Sequence, residues 1–233
     1  MAALIGLVVL ALVALAIVSV INRKHEQEQL RRMQQRKLKL RYDAIVDIVS
    51  CLEQTLPNRQ IAKHINDEAI DLLRQIANLE TGSKTHIENS IRHAVARSEE
   101  LSRTKLGSSS YQKDSDAQIT HTQLQLGEAA TLLRHICAQG RINDQELEGF
   151  TTELSWAFLM VSVTSFIAQG AKFSLLGDRF SAQGYYQKAQ QLLMESLHQD
   201  PRRMRMIKEL SELMDGSRKA MSKDLMPDRA VTD

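Results

Sequence analysis

Seven histidines and two cysteines are the residues of this 233-residue chain best suited to metal or nucleophilic chemistry, and their spacing assembles neither. No His-Glu-x-x-His run or other zinc-ligand spacing occurs. His86 and His93 stand seven apart on one face of a predicted helix, but no carboxylate pair accompanies them. Gly140, Ile142 and Glu146 fit the sixth, eighth and twelfth positions of a calcium loop. The first, third and fifth would be His135, Cys137 and Gln139, which offer no carboxylate. Cys51 and Cys137 lie among apolar neighbours without a Cys-x-x-Cys context, and read as small buried hydrophobes in a reducing compartment. Phosphate-cradling glycine loops and the Gly-x-Ser-x-Gly elbow are missing from the sequence, and no nucleophile has a base beside it. The reading is a non-enzymatic protein with no cofactor and no metal; an enzyme, with a site assembled from residues that no local motif reveals, is the lower alternative.

Location is more legible than chemistry. Ala2 to Ile21 form an uncharged apolar run, long enough at about 1.5 Å per residue to cross a hydrocarbon core of about 30 Å. Arg23, Lys24, Arg31, Arg32, Arg36, Lys37, Lys39 and Arg41 all follow it and no basic residue precedes it, which predicts a short external N-terminus and a cytoplasmic bulk at an inner or plasma membrane. A cleavable signal peptide would need a basic start and a small-x-small site after the run, whereas Ala14-Leu15-Ala16 lies inside it. The eight basic residues are the expected contacts to anionic headgroups of the bilayer. Nucleic acid is the weaker alternative, because the segment has no interleaved aromatics and the whole chain carries only +2. Leu30, Met33, Leu40 and Ala44 have heptad spacing, interrupted by Lys37, as in a short coiled-coil stalk joining two copies. Ala2 and Gly6 form a small-xxx-small pair that would allow close approach of two anchors.

The elements that must position any binding surface are helices. With 43% hydrophobic and 4% aromatic residues and three prolines, the composition suits an all-α fold: a single N-terminal transmembrane helix followed by a cytoplasmic helical bundle. The expected organisation is an anchor at 1–22, a basic juxtamembrane helix at 23–41, a helical subdomain at 42–106, a linker at 107–116, a second helical subdomain at 117–215 and a disordered tail at 216–233. Tyr42, Ile45, Val49, Leu52 and Leu56 make one apolar face up to Pro57. Ile61, Ile65, Leu72, Ile76 and Leu79 make the next, with Asn66-Asp67 as an internal break. Thr85 and Glu88 have capping-box spacing before a third helix. The small polar residues of 107–116 predict an exposed linker. Ile119 to Cys137 restart the helical period, Gly140 ends it, and Asn143 with Glu146 caps the helix that follows. Leu154 to Ala168 is apolar all round; with about 15 residues and no basic flank it reads as a core helix rather than a second span.

Between Val163 and Ser196, Gly170, Phe173, Gly177-Asp178, Ala182, Tyr186 and Ala189 stand in order, with the run Tyr185-Tyr186-Gln187-Lys188-Ala189. This segment, 163–196, resembles a single tetratricopeptide unit, a pair of antiparallel helices near the C-terminus. It departs from that pattern at Phe166, Gln169 and Met194. The resemblance implies protein binding through a helical groove, with Phe173 and Tyr185 as candidate partner contacts and a scaffold or adaptor role.

Asp200-Pro201 starts a last helix that ends at Gly216. Arg202, Arg203 and Arg205 fall in its first turn, where the helix dipole disfavours cations. They complete the candidate surface for an unidentified protein partner; an acidic partner, a lipid headgroup or RNA could use them, and a solvated charged turn is the plainer reading.

Overall fold

In the computed structural model the described residues are 2–103 and 110–226, with side chains described for 22–103 and 110–226. The expected anchor at 1–22, part of the linker and residues 227–233 therefore fall wholly or mostly outside the described side chains. The described residues are helical throughout their regular structure, in seven helices: α1 (Ala2–Thr55), α2 (Arg59–Leu79), α3 (Thr85–Arg103), α4 (Asp116–Ala138), α5 (Asp144–Leu175), α6 (Arg179–Glu195) and α7 (Pro201–Met214).

Among the described residues, five of the seven helices start on a side-chain cap and three end on a glycine, while the expected Thr85–Glu88 capping box is not formed, Thr85 already being the first residue of α3. Side-chain oxygens of Asn58, Ser115, Asn143, Asp178 and Asp200 accept backbone N–H groups in the first turns of α2, α4, α5, α6 and α7. Asn143 and Glu146 form a complete capping box. Gly140, Gly177 and Gly216 have φ of 74°, 80° and 82°, the left-handed conformation that ends α4, α5 and α7. The expected break at Asn66-Asp67 does not occur. Asn66 is buried, and its Nδ2 donates to the Ala94 carbonyl of α3 at 2.8 Å, while Ser98 Oγ donates to Asp67 at 2.5 Å. Long-range partners satisfy the polar groups that would otherwise disfavour a helix interior.

Two cores form around α5. The first packs Ile45, Val49 and Leu52 of α1 and Ile61, Ile65 and Leu72 of α2 against Leu126, Leu133, Leu154 and Val161 of α4 and α5. The second packs Trp156, Val163 and Ile167 of α5 against Tyr186, Leu193, Met206 and Leu210 of α6 and α7. Among the described residues α5 is the one helix long and apolar enough to cross a membrane, and 61% of its apolar window is buried in the protein. Its side chains therefore have protein neighbours on most sides, as a central core helix does.

Two segments expected to be loose are packed. In the linker, Ser110 N–H donates to the Gln54 carbonyl at 2.9 Å, Lys113 N–H donates to Ser165 Oγ at 2.8 Å, and Tyr111 packs against both cores. The tail expected to be disordered from 216 is ordered through Met226, with Met221, Leu225 and Met226 buried in the second core. Buried Glu209 accepts the Ser222 N–H at 2.8 Å and its hydroxyl at 2.7 Å, which pins this strap. The tail's large buried residues, Met221, Leu225 and Met226, are too sparse to show a period, so the sequence reads as polar while the contacts are not.

Candidate interaction surfaces

Among the described residues no three metal-ligating side chains come together. His86 and His93 are exposed on α3, and His135 and Gln139 are exposed at the end of α4. Both cysteines are free; Cys51 lies 3.9 Å from Thr55 Oγ1, and burial pushes its thiol up. His64 rests on Phe150, ring centroids 5.6 Å apart, and burial lowers its pKa. The larger grooves are open. One of about 480 Å³ between α2 and α3 is lined by charges that already pair, Lys63 with Asp67 and Arg74 with Asp71, each at 3.0 Å. Another of about 470 Å³ between α1 and α2 has Leu38 and Leu79 in its floor and Lys37 at its edge.

The basic run lies on a single continuous helix, and this divides it. Arg23, Lys24, Arg31, Arg32, Arg36, Lys37 and Lys39 are exposed. At about 1.5 Å per residue, Lys39 stands about 27 Å along α1 from Ile21, well beyond a screening length of about 8–10 Å. Arg23 and Lys24 directly follow the apolar run on the same helix. Arg41 is committed elsewhere: its guanidinium meets Glu68 of α2 at 3.1 Å. Glu68 is buried, and its second oxygen is held by Arg141, which also reaches Asp71 at 2.8 Å. Leu30, Met33 and Leu40 are 60%, 56% and 71% exposed and Ala44 is exposed, so the heptad stripe faces away from α2 while Leu38, Tyr42 and Ile45 turn inward.

In the α5–α6 hairpin the small residues act as spacers. A Cβ on Gly170 would stand 2.5 Å from Tyr186 Cε1 and 3.1 Å from the Ala182 carbonyl oxygen, so the helices touch there. Phe173 stacks on Tyr185, with centroids 5.5 Å apart and planes 10° apart, and Lys188 Nζ lies 5.3 Å from the centre of the Tyr185 ring. Phe173 and Tyr185 are thus half-buried supports of the hairpin surface.

The three arginines of α7 do not form a free basic patch. Arg202 makes a two-pronged pair with its own N-cap, Asp200, at 2.9 and 2.7 Å, and its guanidinium covers the Trp156 ring at 4.9 Å. Arg203 donates to the carbonyls of Leu193 and Ser196 at 3.0 and 2.6 Å, closing the C-terminal end of α6. Arg205 pairs with Asp224 of the strap at 2.8 Å. Stability therefore does account for them, against the expectation drawn from the helix dipole: each one meets a partner outside its own helix.

The exposed apolar groups of the C-terminal half were not singled out in the sequence. Leu175, Leu176 and Phe180 are 90%, 72% and 89% exposed around the α5–α6 turn, and Met194, Leu197 and Met204 are exposed near the start of α7. Their signal is apolar residues placed directly against Gly177-Asp178, where a turn normally carries polar ones. Comparison with protein-family models, curated proteins and solved structures finds no match for this chain.

Proposed function

We propose that this protein is a membrane-anchored, non-enzymatic helical adaptor that holds a protein partner at the cytoplasmic face of an inner or plasma membrane. The observation that carries the reading is the continuity of α1. The helix that begins in the apolar run ends with Ile45, Ile48, Val49 and Leu52 buried in the first core, while residues 22–34 between them are exposed on every side. An apolar span, a bare rod and a packed bundle in that order make a tether, and the charge asymmetry about Ile21 supports an external N-terminus. Tethering raises the local concentration of whatever the bundle binds without any new contact. The α5–α6 hairpin, tetratricopeptide-like in its small and aromatic residues, supports a binding role for the half of the bundle remote from α1.

Two measurements test this. Reporter fusions or cysteine-accessibility mapping at both termini should find the N-terminus outside and the C-terminus in the cytoplasm; a C-terminus outside removes the proposal. Tagged full-length protein, extracted in detergent, should recover a reproducible protein partner that an anchor-only control does not.

A further inference from the structure

The C-terminal strap is held as a bound peptide is held. Residues 217–226 contain no helix or strand, yet Met221, Leu225 and Met226 are 5%, 4% and 3% exposed in the second core. Their seat is a face of α7. Met206, Glu209 and Leu210, three and four residues apart on that helix, are all buried.

Glu209 is the informative member. A carboxylate is an unfavourable choice for a seat that only has to bury apolar chain, because its desolvation must be offset by donors of good geometry. The strap supplies those donors. Ser222 gives its N–H at 2.8 Å and its hydroxyl at 2.7 Å, and Arg218 stands 3.4 Å away. From α7 itself Arg205 reaches only to 4.0 Å, and its other contact is Asp224 of the strap, at 2.8 Å. Arg218 also pairs with Glu212 at 2.9 Å, so charges of both signs match across the contact.

A strap shifted by one residue would lose each of these pairs. The polar groups therefore select a sequence, while Met221, Leu225 and Met226 supply the burial. The apolar part of the seat is rich in methionine, with Met160 and Met206 in the second core and Met214 against it. Such side chains repack around more than one apolar ligand.

We infer that the Glu209 face of α7 is a peptide-binding site that residues 217–226 fill in cis, and that its trans ligand is a partner segment of the same chemistry. That segment carries a hydroxyl residue for Glu209, an apolar residue directly before it, an acid two places after it for Arg205, and two apolar residues next. The strap is then the competitor that a partner displaces, and Gly216, at φ 82°, is where it turns away from α7. This gives the adaptor reading its class of partner and rests on that reading for its role. A failed topology map and a failed peptide titration remain separate results.

The probe is a fluorescent synthetic peptide of residues 217–226, SRKAMSKDLM, titrated by anisotropy into full-length protein in detergent. Wild type should bind it weakly, because the cis strap competes at high effective concentration. Leu225→Ser with Met226→Ser weakens that competitor and should bind the wild-type peptide at least about tenfold more tightly. Asp224→Arg is the gentler opening: Asp224 and Arg205 are 59% and 55% exposed, so the fold should keep its thermal melt while peptide affinity rises about threefold. In the opened protein, a peptide with Ser222→Ala and Asp224→Ala should bind about tenfold more weakly than the wild-type peptide. No saturable binding to either opened variant, equal binding of a scrambled peptide, or equal affinity of wild type and opened protein would each overturn the inference and leave the strap as packed tail.

Discussion

Gly170 lies under the ring of Tyr186, so close that a Cβ there would come within 2.5 Å of Cε1 and 2.7 Å of Cδ1. Gly184, in α6, has open space where its Cβ would go. The two glycines therefore respond to alanine with opposite signs. Gly170→Ala gains about 1 kcal/mol of helix propensity but overpacks the contact, at about 1–3 kcal/mol, and the Ala182 carbonyl behind it leaves little room for retreat. We expect a net loss of up to about 2 kcal/mol. Gly184→Ala keeps the propensity gain and should stabilise by up to about 1 kcal/mol. Urea unfolding of both variants in detergent checks the pair; a stabilised Gly170→Ala would mean the helices do not touch there.

Helix existence was legible because its signals are local. The caps at Asn143 and Asp200 and the stops at Gly140 and Gly216 use residues adjacent to the ends they define. Whatever depended on a distant partner was not legible. Asn66 reads as a break until α3 supplies the Ala94 carbonyl, and Arg203 reads as a spare cation until α7 folds back on the end of α6. The apolar turn between α5 and α6 escaped notice for the converse reason. Leu175, Leu176 and Phe180 look like ordinary helix residues in one dimension, and their exposure is decided by the turn that leaves them outside both cores.

Glu68 is the buried junction between α1, α2 and the α4–α5 turn. Its carboxylate, about 7% exposed, receives Arg41 from one side and Arg141 from the other. Glu68→Ala removes both pairs and leaves two guanidiniums that can still reach water, so the loss should be about 2 kcal/mol rather than the larger cost of stranding a buried charge. Arg41→Ala leaves Glu68 its Arg141 partner and should cost about half as much. Denaturant unfolding of the two single variants and the double variant gives the coupling; strict additivity would mean that Arg41 does not act through Glu68.

The C-terminal strap offers a sharp distinction between packed and loose chain. Leu225 is 4% exposed in the second core. Leu225→Ala should therefore destabilise by about 2–4 kcal/mol, lessened if the cavity collapses at this edge of the core. Glu209→Gln should loosen the same strap, because Ser222 loses a charged acceptor for both its N–H and its hydroxyl. Limited proteolysis after Gly216 should then speed up in both variants. If the strap were loose in solution, neither substitution would change the unfolding midpoint or the cleavage rate.

Asp200 and Glu153 contribute to the pH dependence with opposite signs. Arg202 beside Asp200 holds that carboxyl below its ordinary range, so the pair stabilises the fold above the unfolded carboxylate pKa and the contribution is lost as pH falls through the folded one. Glu153 behaves the other way. Burial raises its pKa despite the hydrogen bond from Asn58, so the folded state binds its proton more tightly than the unfolded chain does. Its contribution is present below the ordinary carboxylate pKa, about 4.3, and is lost as pH rises through the raised value. Glu153→Gln keeps a carbonyl oxygen for Asn58 Nδ2 and abolishes the titration. The variant should be more stable than wild type at neutral pH, with the advantage vanishing toward about pH 4. Paired urea midpoints across that interval test the sign directly, and a variant weaker than wild type at neutral pH would show the Asn58 bond to outweigh the burial of the charge.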